Sequence, residues 1–168
     1  MAIRPATIDD AEAIVEVHIQ SWKWAYQGVV PEELMKRVED PGRIARVRQM
    51  WDPNRVNLVS LDDQGAIVAF ARENLPPGLD GYDCEIGSLY AHPGHARHGH
   101  GRALVRAMAA TFAERGDVSL CIHTLKNNRI GRSFYERIGG TLVKEDKWEG
   151  LDAVWYGWPD VATLAQKI

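Results

Sequence analysis

The sequence predicts an α/β fold: a mixed, mostly antiparallel sheet with a central parallel βαβ unit and helices on both faces. Three observations predict it. Val56-Asn57-Leu58-Val59-Ser60-Leu61 and Ala66-Ile67-Val68-Ala69-Phe70-Ala71 are strand-forming runs around the polar turn Asp62-Asp63-Gln64-Gly65, which reads as a hairpin. Cys84 to Ala91 is a strand, followed by a Gly- and His-rich loop, a helix from about Gly101 to Arg115, and a strand over Val118 to Thr124. That spacing is a βαβ unit, whose strands run parallel. Thr141 to Glu145 and Ala153 to Trp158 then read as a closing antiparallel pair joined through Lys147-Trp148-Glu149-Gly150.

The remaining elements follow in order. Ile3-Arg4-Pro5-Ala6 is a short strand whose proline suits an edge or a strand end. Thr7 with Asp9 and Asp10 opens a helix, a hydroxyl cap followed by acids in the first turn. Ala11, Ile14, Val15, His18, Ile19 and Trp22 form its apolar face. The run from Trp22 to Tyr26 holds three large aromatics, and Gly28 can end the helix. Pro31-Glu32-Glu33 opens a second helix, and Asp40-Pro41-Gly42 breaks the chain. Ile44, Val47, Met50 and Trp51 mark a third, stopped by Asp52-Pro53-Asn54. Pro76 to Gly81 is loop. Asn127 or Asn128 caps a helix with Ile130, Phe134 and Ile138 on one face, ending at Gly139. Pro159 ends the sheet, and Val161 to Ile168 is a short, helix-compatible tail.

Composition bounds the function. A length of 168 residues suits one domain, residues 1–168, around a single core. The formal net charge of -3 and pI near 6.1 argue against general nucleic-acid binding. No apolar run reaches the ~18–20 residues that span a bilayer. The first residues lack the apolar centre of a signal peptide. Cys84 and Cys121 both fall in strands, which reads as reduced core thiols and a cytoplasmic location. Trp148, Trp155 and Trp158 near the terminal hairpin suggest an apolar face for a homodimer.

Charge is unevenly spread. From Ile86 to Ala113 there is no acidic residue, while Arg97, Arg102 and Arg106 are present. Gly99 and Gly101 lead into the helix there, exposing free backbone N–H groups at the positive end of its dipole, which is an anion site. The dinucleotide pattern fails because the third glycine position is Leu104. The Walker pattern fails because His100-Gly101 stand where Lys and a hydroxyl residue belong. Four histidines, His92, His95, His98 and His100, crowd the loop, but no Cys or acid joins them, so no metal is expected.

The run Leu89-Tyr90-Ala91-His92-Pro93 with Arg97-His98-Gly99-His100-Gly101-Arg102-Ala103-Leu104 resembles the acyl-CoA loop of the GNAT superfamily of N-acetyltransferases. Ala96 occupies the family's usual Gln/Arg position, with Arg97 next to it. Asn128, Gly131, Tyr135 and Gly139 resemble the family's second motif at its spacing, with Gly140 at the usual aromatic position. The resemblance implies acetyl-CoA as co-substrate and acetyl transfer to a primary amine by direct attack in a ternary complex. It implies cofactor contacts from Leu89, Tyr90, Ala91, Arg97, His98, Gly99, His100, Gly101, Arg102 and Asn128. The alternative is a non-catalytic acyl-CoA-binding or sensor module.

Acetyl transfer needs a base for the amine and an acid for the thiolate. Tyr135 is the expected acid, because a phenol near pKa 10 is protonated at neutral pH. Glu85 is the expected base, through water; Asp83 competes with it. Trp22, Trp24, Tyr26 and Glu33 are the expected acceptor-binding residues, since aromatics beside a carboxylate suit an amine on an apolar stem. The acceptor is a small-molecule amine or a peptide amine.

Overall fold

The structure, a computed structural model, describes residues 1–26 and 28–168. Its strands are β1 (Ala2–Pro5), β2 (Asn57–Leu61), β3 (Ile67–Asn74), β4 (Cys84–Ala91), β5 (Leu120–Leu125), β6 (Thr141–Trp148) and β7 (Leu151–Trp158). They pair in the order β1-β2-β3-β4-β5-β7-β6. Its α-helices are α1 (Ala11–Tyr26), α2 (Glu32–Glu39), α3 (Arg43–Gln49), α4 (His100–Arg115), α5 (Arg129–Arg137) and α6 (Val161–Lys167). The α/β class, the mixed sheet and the parallel β4–β5 pair are as the sequence predicts. The chain forms two compact units, Met1–Ala71 with Leu89–Leu104, and Arg72–Ser88 with Val105–Ile168.

In the first unit β1 lies antiparallel to β2, with Ile3 opposite Ser60. A single 3₁₀ turn, Ile8–Asp10, precedes α1. Thr7 and Asp10 close a reciprocal capping box there, and Asp10 also takes both Arg4 Nη1 and Nη2 at 2.7 and 2.8 Å. Ile14 and Val17 of α1 pack with Val59 and Phe70, and Tyr90 lies against that cluster. The Trp22 and Tyr26 rings sit 4.6 Å apart, both buried. His18 is placed among aromatics, 4.4 Å from the Tyr90 ring, and its Nδ1 meets Arg43 Nη2 at 2.6 Å.

In the second unit Val105, Met108, Ala109 and Phe112, at i, i+3, i+4 and i+7 on α4, form one fully buried face. β7 lies between β5 and β6, antiparallel to both. β5 starts at Leu120 rather than Val118, because the Asp83 carboxylate accepts the amides of Val118 and Ser119, both at 2.9 Å. β6 runs on to Trp148, leaving only Glu149 and Gly150 in the turn. Both have positive φ, 50° and 80°, the backbone of a tight hairpin turn matched to strand twist. Of the tryptophan face expected near this hairpin only Trp148 is exposed. Trp155 and Trp158 are buried in the second unit, and the Trp158 indole donates to Ile138 C=O at 3.1 Å. An interior strand is covered on both sides, so its aromatics read as surface only when its neighbours are unknown.

Candidate active site

The loop after β4 carries the residues predicted for an anion site. His92 donates its amide to Val68 C=O at 2.8 Å, and a 3₁₀ turn follows at Pro93–His95. Arg97 and Gly99 then adopt positive φ, 65° and 89°. Left-handed positions next to right-handed ones turn successive N–H groups toward one concavity. Within α4 the amide of Ala103 is bonded to Gly99 C=O at 3.0 Å, so the amides of His100, Gly101 and Arg102 precede the helical ladder. Arg97, His98, Gly99 and Arg102 are exposed around them.

Two predicted loop residues turn inward instead. The His100 side chain is buried, with Nδ1 2.8 Å from Ser60 Oγ. Burial lowers its pKa, and the neighbouring His95 and His98 lower it further. Only its backbone is left to meet a ligand at the loop. The Tyr90 hydroxyl accepts from the Trp22 indole at 3.1 Å, and burial raises its pKa. The Ser21 hydroxyl donates to Ala91 C=O at 2.7 Å. The Tyr90 hydroxyl and the Ala91 carbonyl are thus engaged within the first unit.

The expected acceptor residues divide. Trp22 and Tyr26 come together in the core, whereas Trp24 and Glu33 are exposed on α1 and α2.

In the second unit the β4–β5 ladder consists of Cys84 opposite Leu120 and Glu85 opposite Cys121, although β4 runs to Ala91 and β5 to Leu125. Beyond Glu85 and Cys121 the two strands part. Their facing N–H and C=O groups are left for an inserted ligand, such as a chain of amides. Glu85 is buried at this fork; its Oε2 accepts Gly78 N–H at 2.7 Å and Asn74 Nδ2 at 2.9 Å. Asp83 is spent on Val118 and Ser119, and those bonds lower its pKa. Asn128 caps α5 by accepting Gly131 N–H at 2.9 Å, while its Nδ2 donates to Thr124 Oγ1 at 3.0 Å. A Cβ on Gly131 would lie 2.6 Å from that Nδ2, so the small residue follows from the cap. Tyr135 is buried among Phe134, Tyr156 and Trp158.

One polar group escaped the sequence reading. His123 Nε2 lies 2.8 Å from Asp146 Oδ1, and the Trp155 indole donates to Asp146 Oδ2 at 2.7 Å. The His123 ring stacks on Trp155 with centroids 4.1 Å apart. Only the antiparallel register of β5, β7 and β6 unites these residues, and no local spacing signals it.

The model of the acetyltransferase (GNAT) family matches residues 17–140. The chain belongs to the GNAT family. By that membership it is an acetyl-CoA-dependent N-acetyltransferase. The uncharacterized N-acetyltransferase YuaI of Bacillus subtilis is 26% identical over 98% of this chain and 96% of its own. The spermidine N(1)-acetyltransferase of Thermoplasma acidophilum is 23% identical over 90% of this chain and 93% of its own. Among solved folds, PaiA N-acetyltransferase from Thermoplasma acidophilum in complex with coenzyme A has a TM-score of 0.73. It is 21% identical, covering 94% of this chain and 98% of that one. Among the described residues no helix of this GNAT protein is long and apolar enough to cross a membrane, and no cluster of three or more His, Cys, Asp or Glu is placed to hold a metal ion.

Proposed function

We propose that this enzyme transfers the acetyl group of acetyl-CoA to a primary alkylamine on a small molecule, by direct attack in a ternary complex. The parting of β4 from β5 at Glu85 and Cys121 carries the reading, because it sets a buried carboxylate beside unpaired strand edges suited to an amide-bearing arm. The amides of Gly99 to Arg102, with Arg97 and His98, hold the pyrophosphate. The strand edge at Leu89 to Ala91 takes pantetheine amides; Asn128 of the second unit is a further amide-contacting residue of this reading. Trp22, Trp24, Tyr26 and Glu33 belong to the acceptor side, Trp22 and Tyr26 by shaping its wall from within. Two unpaired, buried cysteines fit a reducing cytoplasm.

The chemistry divides between two side chains of the second unit. Glu85 takes a proton from the attacking nitrogen through water as the C–N bond forms. Tyr135 gives its phenolic proton to the thiolate as the C–S bond breaks. The relative named for spermidine supports a polyamine-like acceptor, since an alkylammonium on an apolar stem suits aromatics with a carboxylate.

The test is thiol release from acetyl-CoA across a panel of amines that includes spermidine. Turnover with at least one alkylamine is expected, and Tyr135→Phe should lower kcat and kcat/KM together, about 10²-fold, while acetyl-CoA still binds. A silent panel leaves the acyl-CoA sensor; an undiminished rate in Tyr135→Phe removes the phenol from the mechanism.

A further inference from the structure

Resting on that reading, a question of proton number remains. An alkylammonium must lose one proton before its nitrogen can attack, and a second as the amide forms. One of the two ends on the CoA thiol; the other leaves to solvent. Glu85 holds one proton at a time, and its Oε2 is already engaged by Gly78 and Asn74. A separate acceptor for the first proton leaves Glu85 free for the second.

We propose that His123, oriented by Asp146, is that acceptor: its Nδ1 takes the proton that converts the bound ammonium to a nucleophilic amine. Three observations place it. Glu85 pairs with Cys121 across β4 and β5, and Cys121 and His123 are two residues apart on one strand, so all three point to one face. The cover on that face, Leu79 and Tyr82, packs on Cys121 and Trp155, while His123 retains 19% of its side-chain surface. Asp146 faces His123 Nε2 at 2.8 Å and is itself held by the Trp155 indole at 2.7 Å. A carboxylate at Nε2 fixes the hydrogen there and leaves Nδ1 as the basic nitrogen.

The surroundings suit a group that cycles its charge. Burial alone would raise the Asp146 pKa, but the bonds from Trp155 and His123 outweigh it, so the carboxylate stays ionised. The charged and titratable groups on the face of His123 are Asp146 and Lys144 from β6, Cys121 of its own strand, Glu85 from β4 beyond Cys121, and Tyr82 of the cover; β7 presents the Trp155 ring. Stacking on that ring locks the imidazole plane. The proton balance closes. R–NH₃⁺ gives its first proton to His123, which returns it to water. The second passes to Glu85 as the C–N bond forms. Tyr135 protonates the departing thiolate and is restored by Glu85.

The experiment is a pH–rate profile of the full-length protein with an alkylamine that turns over in the panel, spermidine first. His123→Gln should lose about 10²-fold in kcat/KM at pH 7 and recover to within a few-fold of the parent above pH 9.5, where bulk base deprotonates the amine. Asp146→Asn should lose less, and should shift the acidic limb of the profile. Acetyl-CoA binding should be unchanged in both. ¹⁵N spectra of the imidazoles should show His123 with its hydrogen on Nε2. A pH-independent loss in His123→Gln, a full rate at pH 7, or an Nδ1–H tautomer overturns the assignment while parental turnover keeps the acetyl-transfer reading. Absence of turnover by the parent across the whole panel overturns both.

Discussion

Asp10 illustrates how much one side chain can carry. Hydrogen bonds from the Arg4 guanidinium, with help from Thr7, hold its pKa down at about 2 against a reference value of 3.8. A depressed carboxylate contributes stability above its unfolded pKa and loses it as pH falls through the folded one. Arg4 is 39% exposed, so screening reduces the contribution to about 1–2 kcal/mol. Asp10→Asn should therefore lower the urea midpoint at pH 6, and the deficit should shrink between pH 4 and pH 2. Denaturation at pH 6, 4 and 3 checks this; a constant deficit would assign the effect to the capping box alone. Asp10 was legible as a first-turn acid, because that depends on near neighbours. His100 and His123 were not: Ser60 and Asp146 lie 40 and 23 residues away in sequence, and only strand register brings them close.

At the scale of elements, legibility followed burial symmetry. α4 buries a single stripe and β4 runs between clear breaks, so both were readable from periodicity. β7 was readable as a strand but not as an interior one. The start of α4 is the junction on which cofactor binding turns. A Cβ at Gly99 would meet only Met1 Cε, at 3.6 Å, so space does not require glycine there; φ of 89° does. Gly99→Val must leave that φ or bear about 1–3 kcal/mol of strain. Calorimetric titration should find acetyl-CoA binding abolished in this variant while circular dichroism stays parental. Parental affinity would mean that the amides beyond Gly99 do not hold the phosphates.

For the whole molecule, ligand linkage is the relevant quantity. A co-substrate that binds only the folded chain stabilises it by about 2.7 kcal/mol at a hundred times Kd. In a chain of 168 residues that should raise Tm by about 5–10 °C in acetyl-CoA. Thermal melts with and without acetyl-CoA, and with free adenine nucleotide as control, measure it; equal shifts would mean that the thioester arm contributes nothing.

The parting of β4 and β5 has one more consequence. Sheets normally confine their unpaired strand edges to the rim, where charge, proline or brevity discourages other chains from joining. Here two such edges, Ile86 to Ser88 and Ile122 to Leu125, lie inside the second unit's run of strands. Ile86, Ile122 and Thr124 are β-branched, and an open edge of such strands can pair with another strand as well as with a ligand. The acyl carrier then acts as a plug as well as a reactant. Seated between the two strands, the pantetheine arm would leave neither edge open to another chain.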